Sequence, residues 1–221
     1  MNNFKRLTLL CGHYGSGKTN VAVNIAFNLK KQYNNVCIAD LDIVNPYFRA
    51  KDSLDDFKSA GIRLICSEYA NSNVDIPALP QDIYTITADK QMHCVLDIGG
   101  DDRGALALGR IRDEILSENN YEMLMVINCY RPLTPDAAST LEVMREIETA
   151  AKIKFTGLVN NSNLGELTTK EDVLASISYA NEVAKAADIP VVMTTVSEKL
   201  FNQFDGEVED LFPLTLQSKL I

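Results

Sequence analysis

The chain of 221 residues lacks several features that would assign it to common functional classes. It contains no run of about 20 apolar residues, the length a helix needs to cross a bilayer, and the run at 7–11 is too short for the apolar region of a secretion signal. A cytoplasmic protein is the expectation. Basic residues are in deficit: 21 Lys and Arg against 30 Asp and Glu leave a net charge of −9. They are not clustered, which argues against a protein that coats nucleic acid, since that affinity comes from many cations neutralising phosphates. The five cysteines, Cys11, Cys37, Cys66, Cys94 and Cys129, form no CxxC pair. That disfavours a zinc or iron-sulfur site within the chain, leaving only a cysteine that meets its mate across a dimer. Most sit in apolar runs, as expected of reduced thiols in a core. No stretch rich in Pro, Gly or Ser suggests a linker, and no repeat or low-complexity segment is found, so residues 1–221 read as one domain.

Within that frame, 46% hydrophobic and 23% charged residues suit a globular protein with one sizeable core. Short runs of Val, Ile, Leu and Cys recur at 7–11, 36–39, 62–66, 94–98, 123–128, 155–160 and 191–195. Their continuous apolarity predicts strands buried on both faces. Helical spacing appears at 18–32, 105–118, 135–153 and 170–187; in the first, Val21, Ile25 and Leu29 form one stripe. Strands alternating with helices predict a three-layer, doubly wound α/β domain with a mostly parallel sheet and ligands at the carboxyl ends of its strands.

The first such end carries Gly12-His13-Tyr14-Gly15-Ser16-Gly17-Lys18-Thr19, which fits GxxxxGK[ST] and runs straight into the first helix. At ordinary residue frequencies the pattern arises by chance in roughly one chain in a hundred of this length. Its glycines let the backbone form a concave nest of N–H groups for a di- or triphosphate. Lys18 would neutralise the β- and γ-phosphates, Thr19 would offer its hydroxyl to Mg²⁺, and Asn20 follows at the rim. The second strand ends in Asp40-Leu41-Asp42, two carboxylates near the loop if that strand neighbours the first. One would hold a metal-bound water while the other orients or activates the attacking water. Asp97 ends a buried apolar run, where it needs a partner such as metal-bound water or Thr19. Gly99 and Gly100 follow it and permit close approach to a γ-phosphate, with residues 101–104 as a reporting loop.

With these motifs the chain resembles, over its whole length, the MinD/ParA/CobQ-like family of P-loop ATPases, which includes the nitrogenase iron protein. The resemblance rests on the phosphate loop, the DxD, and the Walker B-like strand ending at Asp97, Ile98, Gly99 and Gly100. It implies that Asp42 activates water, that Asp40 supports the metal with Thr19 and Asp97, and that Asn160 or Asn161 meets the adenine edge. An amide can both donate and accept there. The guanine motif NKxD is absent after Asn128, so ATP with Mg²⁺ is expected rather than GTP.

The family's signature lysine is replaced by His13, so the contact it makes across a dimer is weaker, pH-dependent, or supplied by Arg49 or Arg103. The segment 211–221 has one lysine and an early proline, which suits packing onto the body better than a membrane tether. The leading reading is an ATP-hydrolysing switch, a homodimer acting on an unidentified protein partner. Alternatives are an ATP-dependent small-molecule ligase or kinase like CobQ or dethiobiotin synthetase, with 67–88 as its acceptor region, and a binding scaffold that has lost hydrolysis.

Overall fold

The apolar runs do form strands, and their side chains divide with period two between two apolar layers. The computed structural model describes residues 3–42, 53–66, 82–100 and 108–216. The elements in chain order are β1 (Leu7–Cys11), α1 (Lys18–Lys30), β2 (Val36–Leu41), α2 (Leu54–Ala60), β3 (Arg63–Cys66), α3 (Ile83–Ala88), β4 (His93–Ile98) and α4 (Arg112–Glu118). They continue with β5 (Tyr121–Ile127), α5 (Ala137–Ala151), β6 (Gly157–Asn160), α6 (Lys170–Ala187), β7 (Val191–Ser197), α7 (Glu198–Phe201) and β8 (Leu211–Leu214). Leu7, Leu9 and Cys11 of β1 face the layer built with α3, α4, α5 and α6. Leu10 faces the opposite layer with Val21, Ile25 and Leu29 of α1 and Phe57 of α2. This is the three-layer arrangement that continuous apolarity predicts.

All the strand pairs are parallel, in the order β3-β2-β4-β1-β5-β6-β7-β8. Successive strands are added on one side of β1 and then, from β5 onward, on the other. The reversal opens a crevice at the carboxyl ends beside β1. One expectation about adjacency changes: β2 does not neighbour β1, because β4 lies between them. Asp40 and Asp97 become register partners, and Asp97 is paired with Leu10 of β1.

Three helices, α2, α3 and α7, have four to seven residues and were not visible as helical periodicity. The segment 211–214 pairs with β7 as a strand, with Pro213 opposite Val196. An edge strand tolerates proline because one side of its ladder carries no neighbour.

The amino-terminal edge of the sheet is tied together by Arg6, which is almost fully buried. One terminal nitrogen donates to the carbonyls of Ile86 at 3.1 Å, Asp89 at 3.1 Å and Met92 at 2.8 Å. Its other two nitrogens make a forked pair with Glu118. The guanidinium holds the Glu118 carboxyl below its usual range, with Lys90 assisting from outside. Replacing Arg6 with Met leaves Glu118 and three carbonyls without their buried donor. We expect a loss of about 3 kcal/mol in unfolding free energy, measured by urea titration, with nucleotide affinity unaltered.

Candidate functional site

The turn from β1 to α1 forms the floor of the crevice. Gly17, the residue before the helix, has φ of 85° and no side chain caps the helix start. By contrast Asp136 caps α5 by accepting from the Ser139 N–H, and Thr169 with Asp172 forms a capping box on α6. The first N–H groups of α1 are thus left facing the crevice, at the positive end of the helix dipole.

The loop is held from behind. Asn161 donates its amide N–H to the Ser16 carbonyl at 2.6 Å, and its amide oxygen accepts from the Thr195 hydroxyl at 2.5 Å. In a trans peptide the carbonyl and the following N–H point in opposite directions, so fixing the Ser16 carbonyl outward turns the Gly17 N–H inward. A side chain at Gly17 would collide with the Asn161 amide. At the other end a side chain at Gly100 would strike the Gly12 carbonyl, so this glycine permits the β4 exit to lie directly on the phosphate loop.

Four ionisable groups converge beside the loop. Lys18 and Asp42 are both almost fully buried and pair at 2.5 Å. The Asp42 N–H donates to the Asp40 carboxylate at 3.2 Å, and Asp40 sits across the ladder from Asp97. Burial works against the Lys18 ammonium, but the charges of Asp97 and Asp42 outweigh it and hold its pKa above the ordinary value. Asp97 is fully buried, and burial pushes its carboxyl up to about 6 despite the opposing pull of Lys18 and Thr19. The Thr19 hydroxyl eases that charge without making a well-formed hydrogen bond. Both Asp97 oxygens and the Ser16 hydroxyl are buried polar atoms with no hydrogen-bond partner.

A magnesium ion fits this donor set. Thr19, Asp97 and Asp40 are hard oxygen donors, and the Asp97 carboxylate has no partner of its own. Among the described residues no group of three His, Cys, Asp or Glu side chains is arranged to hold a metal by itself. Such a site depends on phosphate oxygens and water for its remaining positions, as magnesium sites with nucleotides do.

On the side where a base is expected, the two asparagines already have partners. The Asn160 amide donates to the Ser176 hydroxyl at 2.9 Å and accepts from the Ser162 N–H at 3.2 Å. Asn161 is committed to Ser16 and Thr195. At the tip of β6 both amides hold loops together, each through one N–H and its oxygen, and Asn161 also lines the adjoining cavity. Beside them, a cavity of about 290 Å³ is lined by Gly15, Gly17, Lys18, Thr19, Asn20, Asn161, Asn163, Gly165, Glu166, Leu214 and Leu216. Here Asn163 donates to the Asn161 carbonyl at 2.7 Å and accepts from the Gly165 N–H at 3.0 Å, which leaves Glu166 as the carboxylate on the wall.

The structure therefore brings Gly12 to Thr19, Asp40, Asp42, Asp97 and Gly100 to one edge. His13 is half-buried, and burial together with Lys18 lowers its imidazole pKa, so it is neutral at pH 7. Arg49, Arg103, residues 67–81 of the acceptor region 67–88 and the loop residues 101–104 lie outside the described residues. Sequence reading missed Thr195, which supports Asn161 from the neighbouring strand β7, and Glu166, which belongs to no motif. It also missed Arg131, whose side chain reaches Gly15. Only an arginine four residues past a strand end signalled it.

No protein-family model and no curated protein sequence matches the chain. Solved structures do. The chain is similar to FtsY from Mycoplasma mycoides at 18% identity with a TM-score of 0.56, over 90% of this chain and 63% of that one. It is similar to the 54 kDa signal recognition particle protein from Aeropyrum pernix in complex with GDP, at 15% identity and a TM-score of 0.51, over 88% and 41%. A third likeness is to FlhF complexed with GTP and Mg²⁺, at 13% identity and 0.51, over 89% and 68%. The chain thus spans just under two thirds of the FtsY chain. At these identities the likeness shows the fold, that of P-loop nucleoside triphosphatases.

The elevated Asp97 carboxyl sets the sign of a pH effect. The folded chain binds this proton more tightly than the unfolded chain, so this group's contribution to stability falls as pH rises from about 4 to about 6. Asp97→Asn should raise the melting temperature of the ligand-free protein at pH 7 and flatten its dependence across that window. It should also remove the effect of Mg²⁺ on nucleotide affinity in calorimetric titration.

Proposed function

We propose that this chain is a single nucleotide-binding domain that works as a Mg²⁺-dependent nucleoside-triphosphate switch. The observation that carries the proposal is the buried Lys18–Asp42 pair, set beside the unpartnered Asp97 under a loop of GxxxxGKT sequence. A polyphosphate entering the nest competes with Asp42 for the Lys18 ammonium. As Lys18 turns to the β- and γ-phosphates, Asp42 gives up that ammonium and becomes the carboxylate that orients water and takes its proton. Thr19, Asp97 and Asp40 would hold the magnesium, which supplies charge neutralisation at the phosphates. Binding and readiness for hydrolysis are then one event, exchange of the lysine's partner.

ATP is our reading, from the resemblance to MinD/ParA/CobQ-like ATPases and the absence of NKxD. A second reading, GTP, is favoured by Glu166 on the cavity wall. A carboxylate only accepts, and guanine offers it two adjacent donors where adenine offers one amine. Similar structures holding GDP and GTP with Mg²⁺ point the same way. The exposed side chains Tyr14, Leu133, Leu164 and Leu167 all follow strand ends at this edge, which supports a protein partner, or a second copy, meeting the chain over the nucleotide. For the ligase reading, 82–88 of the acceptor region 67–88 are described, largely as α3, and no observation there favours it.

Thermal protection and heat of association with Mg-ATP and Mg-GTP test the proposal directly; absence of both with either nucleotide would end it. Lys18→Ala should weaken binding by about 10²-fold. Asp42→Asn should do two opposite things: tighten triphosphate binding, because the competitor for Lys18 is gone, and slow hydrolysis by about 10²-fold. Weaker binding in that variant would contradict the exchange. If His13 takes part in dimerisation, it does so as a neutral ring, so sedimentation should show no change in assembly between pH 7 and pH 8.

A further inference from the structure

Arg131 lies in the turn after β5, and that turn is fixed by its own hydrogen bonds. The fully buried Asn128 accepts at its amide oxygen from the Tyr130 N–H at 3.0 Å, and its carbonyl accepts from the Arg131 N–H at 3.2 Å and the Thr134 hydroxyl at 2.9 Å. The Thr134 N–H returns to the Arg131 carbonyl at 3.1 Å, and the Cys129 N–H reaches Ser162 at 3.1 Å. From this base the arginine extends onto the phosphate loop. Its Nε donates to the Gly15 carbonyl at 2.9 Å, and its Cδ and Nε would lie 3.7 and 3.8 Å from a Cβ at Gly15. No carboxylate of a described residue pairs with it. The Nε contact uses one of five donors, and the guanidinium fork that remains is of the geometry that takes phosphate oxygens in pairs.

Charge gives that fork a purpose. Lys18, Asp40, Asp42 and Asp97 are all buried at the loop, and with the carboxylates ionised they carry two net negative charges. A triphosphate adds more. Magnesium offsets part of the excess, and among the described residues Arg131 is the other cation in contact with the phosphate loop.

On the reading of the site given above, we infer that Arg131 is a second cation of the polyphosphate site, seated on the loop before the anion arrives. Its Nε fixes the guanidinium on Gly15 and its terminal nitrogens bind phosphate. The anion then meets two cations, one from the loop and one from the neighbouring strand end.

The test is calorimetric titration of the full chain with Mg-bound tri- and diphosphate, with the monophosphate, and with the nucleoside, using ATP or GTP according to which the wild type binds more tightly. Arg131→Ala should weaken triphosphate binding by about 10- to 100-fold and nucleoside binding not at all, with the ligand-free melting temperature unchanged. Arg131→Lys, which keeps the charge, should recover much of the loss. Arg131→Gln, which can still donate to the Gly15 carbonyl, should not. Rescue by Gln rather than Lys would make the residue a neutral brace and overturn the inference, as would equal losses for every ligand. A triphosphate affinity within twofold of wild type in Arg131→Ala would overturn it too, while leaving the proposed function standing. If the wild type bound no nucleotide, both would fall together.

Discussion

The site depends on an imbalance of buried charge. Lys18 is the cation inside the cluster, and three aspartates surround it. It pairs with Asp42 at 2.5 Å while the field of Asp97 also acts on it. Such a cluster is costly to keep dry, because each carboxylate without full compensation bears its desolvation cost. Burial raises the Asp97 carboxyl for the same reason. On the proposed function, a divalent cation with an anionic ligand that draws Lys18 away would relieve that cost. On the same proposal, Asp42 is held in reserve by the lysine that a polyphosphate would draw away.

The fold supplies this arrangement through strand order. Because β4 enters between β1 and β2, the aspartates of two strand ends stand side by side and both face the loop that leaves β1. The loop is gripped at two consecutive carbonyls, Gly15 by Arg131 and Ser16 by Asn161. These grips come from different strand ends, β5 and β6, so the nest is built by the sheet rather than by the loop's own sequence. Preorganisation of this kind matters because donors already aimed at an anion need no reorganisation when it arrives.

The likeness to FtsY, the 54 kDa signal recognition particle protein and FlhF agrees with this architecture at 13–18% identity, where what persists is the fold. The sequence motifs resemble the MinD/ParA/CobQ-like ATPases instead. The two resemblances meet in the phosphate loop and the parallel sheet and separate at the base, where Asn160 and Asn161 serve structural roles and Glu166 lines the cavity.

Local chemistry made part of this legible from the residues alone. Continuous apolar runs announced strands buried on both faces, the GxxxxGKT turn announced a phosphate nest, and Asp42 and Asp97 were marked by standing at the ends of such runs. Short helices such as α2 and α3 escaped because fewer than eight residues complete too few turns to show periodicity. The edge strand β8 escaped because its proline and short length resemble a loop. Only the tertiary structure decided who pairs with whom: that Asp42 holds Lys18, that Asn161 holds the Ser16 carbonyl, and that Arg131 reaches Gly15 across 116 positions of chain. Residue type and spacing fix what a side chain can bond. Which partner it finds depends on strand order, and strand order is set by the burial of the whole sheet.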